Sequence, residues 1–308
     1  MTEEISDRFY YTSRCLVGTL FLLSAILKFI SIESFESYVF SFGFFSLKIS
    51  SYLSRFLLLA EISLGILLIT TVGKKWVDYL CYFLITLFSF FLFYLLYVGD
   101  DGNCHCMGET FSLTPLQSLL KNAWLLLLLL FGSKCKPFHI KRERLLIALV
   151  LIGSFVFAFI KLPVGLGQSK ETKFNEQLYR KLQEEYHELK ALDEEDKVVL
   201  CFFSVKCKHC KMAMRKLEVC LKKADIQPTV QWVVWGDDAG LQGFMEETRV
   251  NPQNHFFLTP EKMMPVTEYN VPLILFMQHG EVKAKMSNAT FDETACATFL
   301  NAQDANRK

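Results

Sequence analysis

Five long apolar runs lie between Cys15 and Leu162 of this 308-residue chain, and they restrict what it can fold into. At about 1.5 Å per residue, roughly 20 apolar residues in a helix cross a hydrocarbon core of about 30 Å. Only helices and closed barrels satisfy their own backbone there. The runs 15–32, 53–72, 76–98, 116–131 and 145–162 are therefore predicted spanning helices. The first follows the polar MTEEISDRFYYTSR, which lacks the design of a cleaved signal, so it reads as a retained signal anchor. Lys28, near its far end, is expected to snorkel to the interface. Glu61 stands in the apolar second run, either as a functional group or as a carboxylate satisfied by a neighbouring helix. Charged residues dominate from about residue 170 onward. The expected division is a membrane domain at 1–165 and a soluble domain at 166–308, and a net charge of +1 suggests no nucleic-acid partner.

Basic residues in short loops orient such a chain. Lys134, Lys136, Lys141, Arg142 and Arg144 lie between the fourth and fifth runs. Lys74 and Lys75 separate the second from the third, and Arg8 and Arg14 precede the first. With five spans all of these share one side, and the opposite side carries Lys48, Arg55 and Lys121. The N-terminus is thus expected in the cytoplasm of a cell with an inner membrane. Everything after Leu162 is expected outside, in a periplasmic or other extracytoplasmic space. The loop 99–114 then shares the soluble half's compartment, an oxidising one.

In the soluble half, Val198–Phe203 is a short run of β-branched and aromatic residues, read as a buried strand. Cys207-Lys208-His209-Cys210 follows, and then Met212, Met214, Leu217 and Cys220 at helical spacing. A strand, a short turn and a CxxC opening a helix make a thiol–disulfide site, because the helix start stabilises a thiolate. Lys206, Lys208, His209 and Lys211 add positive charge in the same sense. A CxxC is also half of a zinc site; the preceding strand and the Pro-led strand at Val271-Pro272 favour the redox reading. Further elements are predicted at 173–191 (amphipathic helix), 229–235 (strand), 237–250 and 261–269 (helices), 271–276 and 282–286 (a hairpin turning at Gly280), and 291–300 (a helix capped by Thr290 with Glu293).

Ten cysteines are present, and the remaining close pair is Cys104/Cys106 around His105. A CxC pair in a polar external loop closes only a small, strained disulfide that exchanges readily. Soft ligands at Cys104, His105, Cys106 and Met107 would also suit Cu(I) or Zn, although adjacent residues face one ion poorly. Cys15, Cys81 and Cys135 are expected towards the cytoplasmic face as packing or incidental thiols.

The α/β alternation over about 190–303, with Pro272 opening a strand, resembles the thioredoxin fold. The resemblance implies Cys207 as the attacking cysteine, Cys210 as the resolving one, and Val271-Pro272 as the cis-proline dipeptide that holds a partner's backbone. No Trp precedes Cys207; Ser204-Val205-Lys206 stands there, similar to the SxxCxHC style of periplasmic members. The membrane half, about 10–165, resembles the DoxX/MauE redox-associated family and, beyond it, the four-helix vitamin K epoxide reductase-like proteins. The residues that carry this are Ser24-Ala25, Lys28-Phe29, Ser34-Phe35, Glu61 with Gly65, and Cys104-His105-Cys106-Met107-Gly108. That family commonly shows CxCFG at the last position, so Met107 is a departure.

The implied fold class is an α-helical membrane bundle, with a four-helix DoxX/MauE-like core plus a fifth span, followed by an α/β thioredoxin-like domain. The implied function is that of a membrane thiol–disulfide oxidoreductase. Cys207/Cys210 would exchange disulfides with exported proteins and pass electrons through Cys104/Cys106 to or from the membrane, with a quinone as the candidate electron partner. No covalently bound cofactor and no metal ligand set are expected, and His209, Lys208, Val271, Pro272 and Glu61 are expected to support the site. A reductase feeding a partner and a copper-handling or maturation protein without turnover are the alternatives.

Overall fold

The computed structural model describes residues 2–99, 102, 104–109, 111–134, 142–161, 172–224 and 228–302, with the side chains of 2–6 and Lys74 excluded. Cys135, the basic residues Lys136 and Lys141, and the PVGLG segment lie outside this set. Contacts divide the chain into two compact units. One holds Met1–Glu36 and Ser51–Pro163, the other Ser37–Ser50 and Val164–Lys308.

The first unit is helical. It comprises α1 (Thr2–Ile30), part of α2 (Ile32–Ser41), most of α3 (Leu47–Thr70), α4 (Lys74–Tyr97), α5 (Pro115–Gly132) and α6 (Glu143–Phe159). Within these, Asp7–Ile30, Leu47–Thr70, Lys75–Tyr97 and Pro115–Gly132 are long and apolar enough to cross a membrane, as a multi-pass protein requires. The helix over the fifth apolar run has 17 residues, one fewer than the shortest of those four. Helix α1 begins well before the apolar run does, because the polar N-terminal residues continue its turns. Thr114 caps α5 with a capping box and Pro115 opens it, so an uninterrupted leucine run has a defined start.

Gly18 and Gly65 let α1 and α3 approach closely. A Cβ at Gly65 would stand 2.9 Å from the Gly18 carbonyl oxygen, and one at Gly18 would stand 2.7 Å from that of Gly65. Among the described residues, three buried ion pairs cross between helices of this unit. Arg14 pairs with Asp78 and donates to the Leu68 carbonyl at 3.0 Å. Lys28 pairs with Glu61. Arg55 pairs with Glu36 at 2.9 Å and donates to the Ala158 carbonyl at 2.9 Å and the Lys161 carbonyl at 2.5 Å. These contacts correct three sequence expectations. Lys28 does not snorkel outward but lies between the rings of Phe35 and Phe88, 5.5 and 5.1 Å from their centroids. Arg14 and Arg55 are buried structural cations rather than loop charges, so they drop out of the orientation count.

The second unit is a five-stranded sheet in the order β3-β2-β1-β4-β5, with helices on both faces. Its elements after α7 (Glu176–Glu185) and α8 (His187–Ala191) are β1 (Lys197–Ser204), α9 (Lys208–Lys222), β2 (Thr229–Trp235), α10 (Asp238–Thr248), β3 (His255–Phe257), α11 (Pro260–Val266), β4 (Leu273–Gln278), β5 (Glu281–Met286) and α12 (Glu293–Asn301). Strand β1 is central, parallel to β2 and antiparallel to β4. Alternate residues of a strand face opposite sides, so Val199, Cys201 and Phe203 join the core under α9, α10 and α12. Val198, Leu200 and Phe202 join the core under α7, α8 and α11. A strand buried on both faces must read as a continuous apolar run, and VVLCFF does.

This is the thioredoxin-like arrangement. The predicted 173–191 helix breaks at Tyr186 into α7 and α8. Strand β3 is additional, its three residues paired with β2. The cap of α12 is Asp292, whose carboxylate accepts from the amides of Thr294 and Ala295 at 2.8 and 3.3 Å. Thr290 bonds Ser287 instead.

Removing one partner of a buried ion pair leaves an uncompensated charge and costs about 3–5 kcal/mol. Asp78→Ala is therefore expected to lower thermal stability in detergent by that order, and Arg14→Met combined with Asp78→Leu to restore most of it. A single variant as stable as wild type would show that Arg14 is satisfied without Asp78.

Candidate functional site

The two cysteine pairs occupy one unit each. In the second unit, Cys207 is the N-cap of α9 and its Sγ accepts the amide N–H of Cys210 at 3.3 Å. A helix start offers unsatisfied N–H groups and the positive end of the dipole, so negative charge on this sulfur is favoured. Cys210, one turn in, is fully buried, and its Sγ accepts from the Ser204 amide at 3.5 Å. The peptide between Val271 and Pro272 is cis, and the Val271 carbonyl lies 3.7 Å from Cys207 Sγ.

The hydrogen bond from the Cys210 thiol pulls the Cys207 thiol down to about 6; burial opposes it, and the amides of Cys210 and His209 and the His209 ring add to it. Burial, followed by that same hydrogen bond, pushes Cys210 far above the ordinary thiol range. The lysines do not lead. Lys206 and Lys208 are exposed, and Lys211 pairs with Glu247 at 2.5 Å. One half-buried, acidic sulfur thus lies beside one buried, protonated sulfur. His209, also exposed, has its Nδ1 3.4 Å from the Asn288 amide nitrogen, and Asn288 Oδ1 accepts from the buried Lys216 at 3.0 Å.

In the first unit, Cys104, His105 and Cys106 are 2%, 5% and 3% exposed, so the expected polar external loop is folded inward. His105 takes a left-handed turn at φ 52°, and the Cys106 amide donates to Cys104 Sγ at 3.4 Å. Gly108 explains why the motif ends in glycine: its φ is 68°, and a Cβ there would stand 2.7 Å from the Leu27 carbonyl oxygen of α1. The Ser118 hydroxyl of α5 lies 2.9 Å from Cys104 Sγ. A hydrogen bond from Cys106 lowers the Cys104 thiol to about 6 against its burial, helped by Ser118. The same bond, with burial, raises Cys106. The CxC pair therefore repeats the asymmetry of the CxxC pair.

Beside Cys106 a partly open cavity is walled by Leu20, Phe21, Leu84, Ile85, Phe88 and Leu125, with Lys28, Glu61, Lys121 and Asn122 as its polar lining. The Ser24 hydroxyl lies 3.0 Å from the Cys106 carbonyl and 3.3 Å from Glu61. Apolar walls with a few convergent donors are the kind of lining that suits a planar ring carrying carbonyl oxygens. The predicted Glu61 is therefore in the cavity wall. Lys28, Ser24 and Ser118 are further residues of this site beyond the sequence expectation. Their signal was polar or charged residues recurring within apolar helices, which marks function or helix pairing without separating the two. Among the described residues, no group of three or more His, Cys, Asp and Glu side chains could hold a metal ion. All cysteines among them are free thiols, with Cys15 half-buried and Cys81 buried.

A low-pKa CxxC on a thioredoxin-like sheet, in a chain whose described residues include four membrane-length helices, defines a membrane protein with a thioredoxin-like domain. Residues 6–134 match the family described as methylamine utilisation protein MauE. The chain is also similar to Protein TlpB of Flavobacterium psychrophilum, 30% identical over 175 residues. The match covers 53% of this chain and 47% of that protein, so the chain spans about half the length of the curated relative it matches. No solved structure matches the chain.

A thiol lowered to about 6 is ionised above that pH, and only the thiolate attacks an electrophile. Alkylation of reduced Cys207 by iodoacetamide should therefore rise as pH passes through about 6 and be level by pH 8, while Cys210 stays unreactive. Peptide mass mapping across pH 4–9 measures this, and a midpoint near 9 would remove the thiolate argument.

Proposed function

We propose that this protein is a membrane-bound thiol–disulfide oxidoreductase that acts on exported proteins through Cys207 and Cys210 and exchanges electrons with the membrane through Cys104 and Cys106. The observation that carries the reading is the repeated asymmetry, a sulfur lowered to about 6 beside one that is buried and raised, at both pairs. In the oxidising direction, a substrate thiolate attacks the Cys207–Cys210 disulfide at Cys207 and displaces Cys210, which takes up a proton. The second substrate thiol loses its proton and displaces Cys207, leaving a substrate disulfide and a reduced CxxC. Cys207 thiolate then attacks the Cys104–Cys106 disulfide, and Cys210 resolves the mixed disulfide in turn. A thiolate favoured by its surroundings makes its disulfide the better oxidant, which supports this direction over the reverse.

Reduced Cys104 and Cys106 release two electrons and two protons as their disulfide re-forms. A quinone bound in the neighbouring cavity would supply a two-electron, two-proton acceptor. Lys28, Lys121 and Asn122 would hold its oxygens, and the Lys28–Glu61 pair in the same lining would exchange the protons. We place the N-terminus in the cytoplasm, α6 across the membrane and the thioredoxin-like domain outside. Arg8, Lys74, Lys75, Lys134, Arg142 and Arg144 on the inner side support this once Arg14 and Arg55 are set aside.

Without its resolving thiol Cys207 cannot be released, so Cys210→Ala should trap a mixed disulfide between Cys207 and Cys104 or Cys106. Absence of that species on non-reducing electrophoresis, confirmed by peptide mapping, would mean that the internal relay is wrong. General acid–base groups contribute about 100- to 10,000-fold. Glu61→Gln is accordingly expected to slow quinone-dependent reoxidation of Cys104/Cys106 by roughly tenfold or more, while leaving exchange between Cys207/Cys210 and a peptide disulfide unchanged.

A further inference from the structure

A second thiol pair lies in the thioredoxin-like domain, away from the CxxC. Cys220 is in the last turn of α9 and Cys296 in the first turns of α12, 4% and 0% exposed, within one hydrophobic core. Cys220, together with burial, pushes the Cys296 thiol far above the ordinary range. An independent contact gives the register of the two helices: Lys223, three residues after Cys220, pairs at 3.3 Å with Glu293, three residues before Cys296. The end of α9 therefore lies beside the start of α12 in antiparallel sense, and each cysteine is one turn in from the ion pair. The relay does not use either sulfur.

We infer that Cys220 and Cys296 are built to close as a disulfide that staples the CxxC helix to the last helix. A thiolate at one of them attacks an incoming disulfide of an exported-protein oxidant, forming a mixed disulfide. The other cysteine displaces the oxidant's second sulfur. The pair loses two electrons and two protons, and the oxidant leaves as two thiols. With both sulfurs enclosed, this exchange takes place while α12 is undocked, during folding or local opening. Once docked, the bond is shielded from attack by other thiols, unlike the half-buried Cys207. Its closure in the cell rests on the proposed extracytoplasmic placement of the domain; the capacity to close does not.

The full-length protein with Cys207→Ser and Cys210→Ser is incubated in detergent and partially denaturing urea with a glutathione redox buffer, then returned to native conditions. Thiols are alkylated in denaturant without reduction and the peptides mapped. The expected result is a Cys220–Cys296 linked peptide that survives dithiothreitol under native conditions but not in denaturant, with thermal unfolding shifted upward by several degrees relative to the reduced protein. Recovery of both cysteines alkylated, or linkage of either to Cys201, the third thiol on that face of the sheet, would overturn the inference. Mapping wild-type protein extracted directly from cells reads placement separately. A bond that closes in the redox buffer but is open in the cell would support the pair while removing the extracytoplasmic placement.

Discussion

A lysine inside an apolar helix bundle must have a counter-charge, and Glu61 supplies it to Lys28. The alternative, an uncompensated cation in a medium of low polarity, costs more than most single interactions in a protein return. The pair joins α1 to α3, where Gly18 and Gly65 already bring the backbones together. Ser24, one turn before Lys28, reaches both Glu61 and the carbonyl of Cys106. The position of the CxC turn is in this way tied to a charge pair, and the cavity beside it inherits a polar floor beneath aromatic walls. Arg14–Asp78 and Arg55–Glu36 meet the same requirement elsewhere in the unit.

In the other unit, geometry at one helix start governs the chemistry. The Cys207 sulfur sits where α9 leaves amides without intrahelical partners, and the Cys210 thiol donates to it from one turn further in. Hydrogen bonding outweighs the surrounding lysines. Lys206 and Lys208 project into solvent, where charge is screened, and Lys211 is neutralised by Glu247. A cluster of basic residues around a CxxC is therefore a poorer guide to thiol acidity than its place at the helix terminus.

Much of this was legible in the chain. Long apolar runs and a two-faced strand are strong periodic signals, and β1, α9, α10 and the β4–β5 hairpin follow from VVLCFF, the CxxC spacing, Asp237 and Gly280. The misses have physical causes. Lys28, Arg14 and Arg55 look like interfacial cations because a sequence does not display the carboxylate on another helix that buries them. The CxC loop looks polar because Asp, Gly, Asn and His crowd it, whereas Gly108 folds it onto α1 through a contact with no local signature. Cys220 and Cys296 are distant in sequence and become a pair only when α12 docks. Asp292 and Thr290 both precede the last helix, and only the backbone turn decides which side chain reaches the amides.

The likeness in acidity between Cys104 and Cys207, each near 6, bears on how traffic through the proposed relay is controlled. With both attacking sulfurs ionised near neutral pH, neither step of the proposed exchange waits on deprotonation. Net flux is then set at the ends, by the supply of reduced substrate on one side and by removal of electrons into the membrane on the other. Such a protein works as a conductor rather than a valve. In the proposed oxidising direction, the pace of that conductor is set by how fast the membrane takes electrons away.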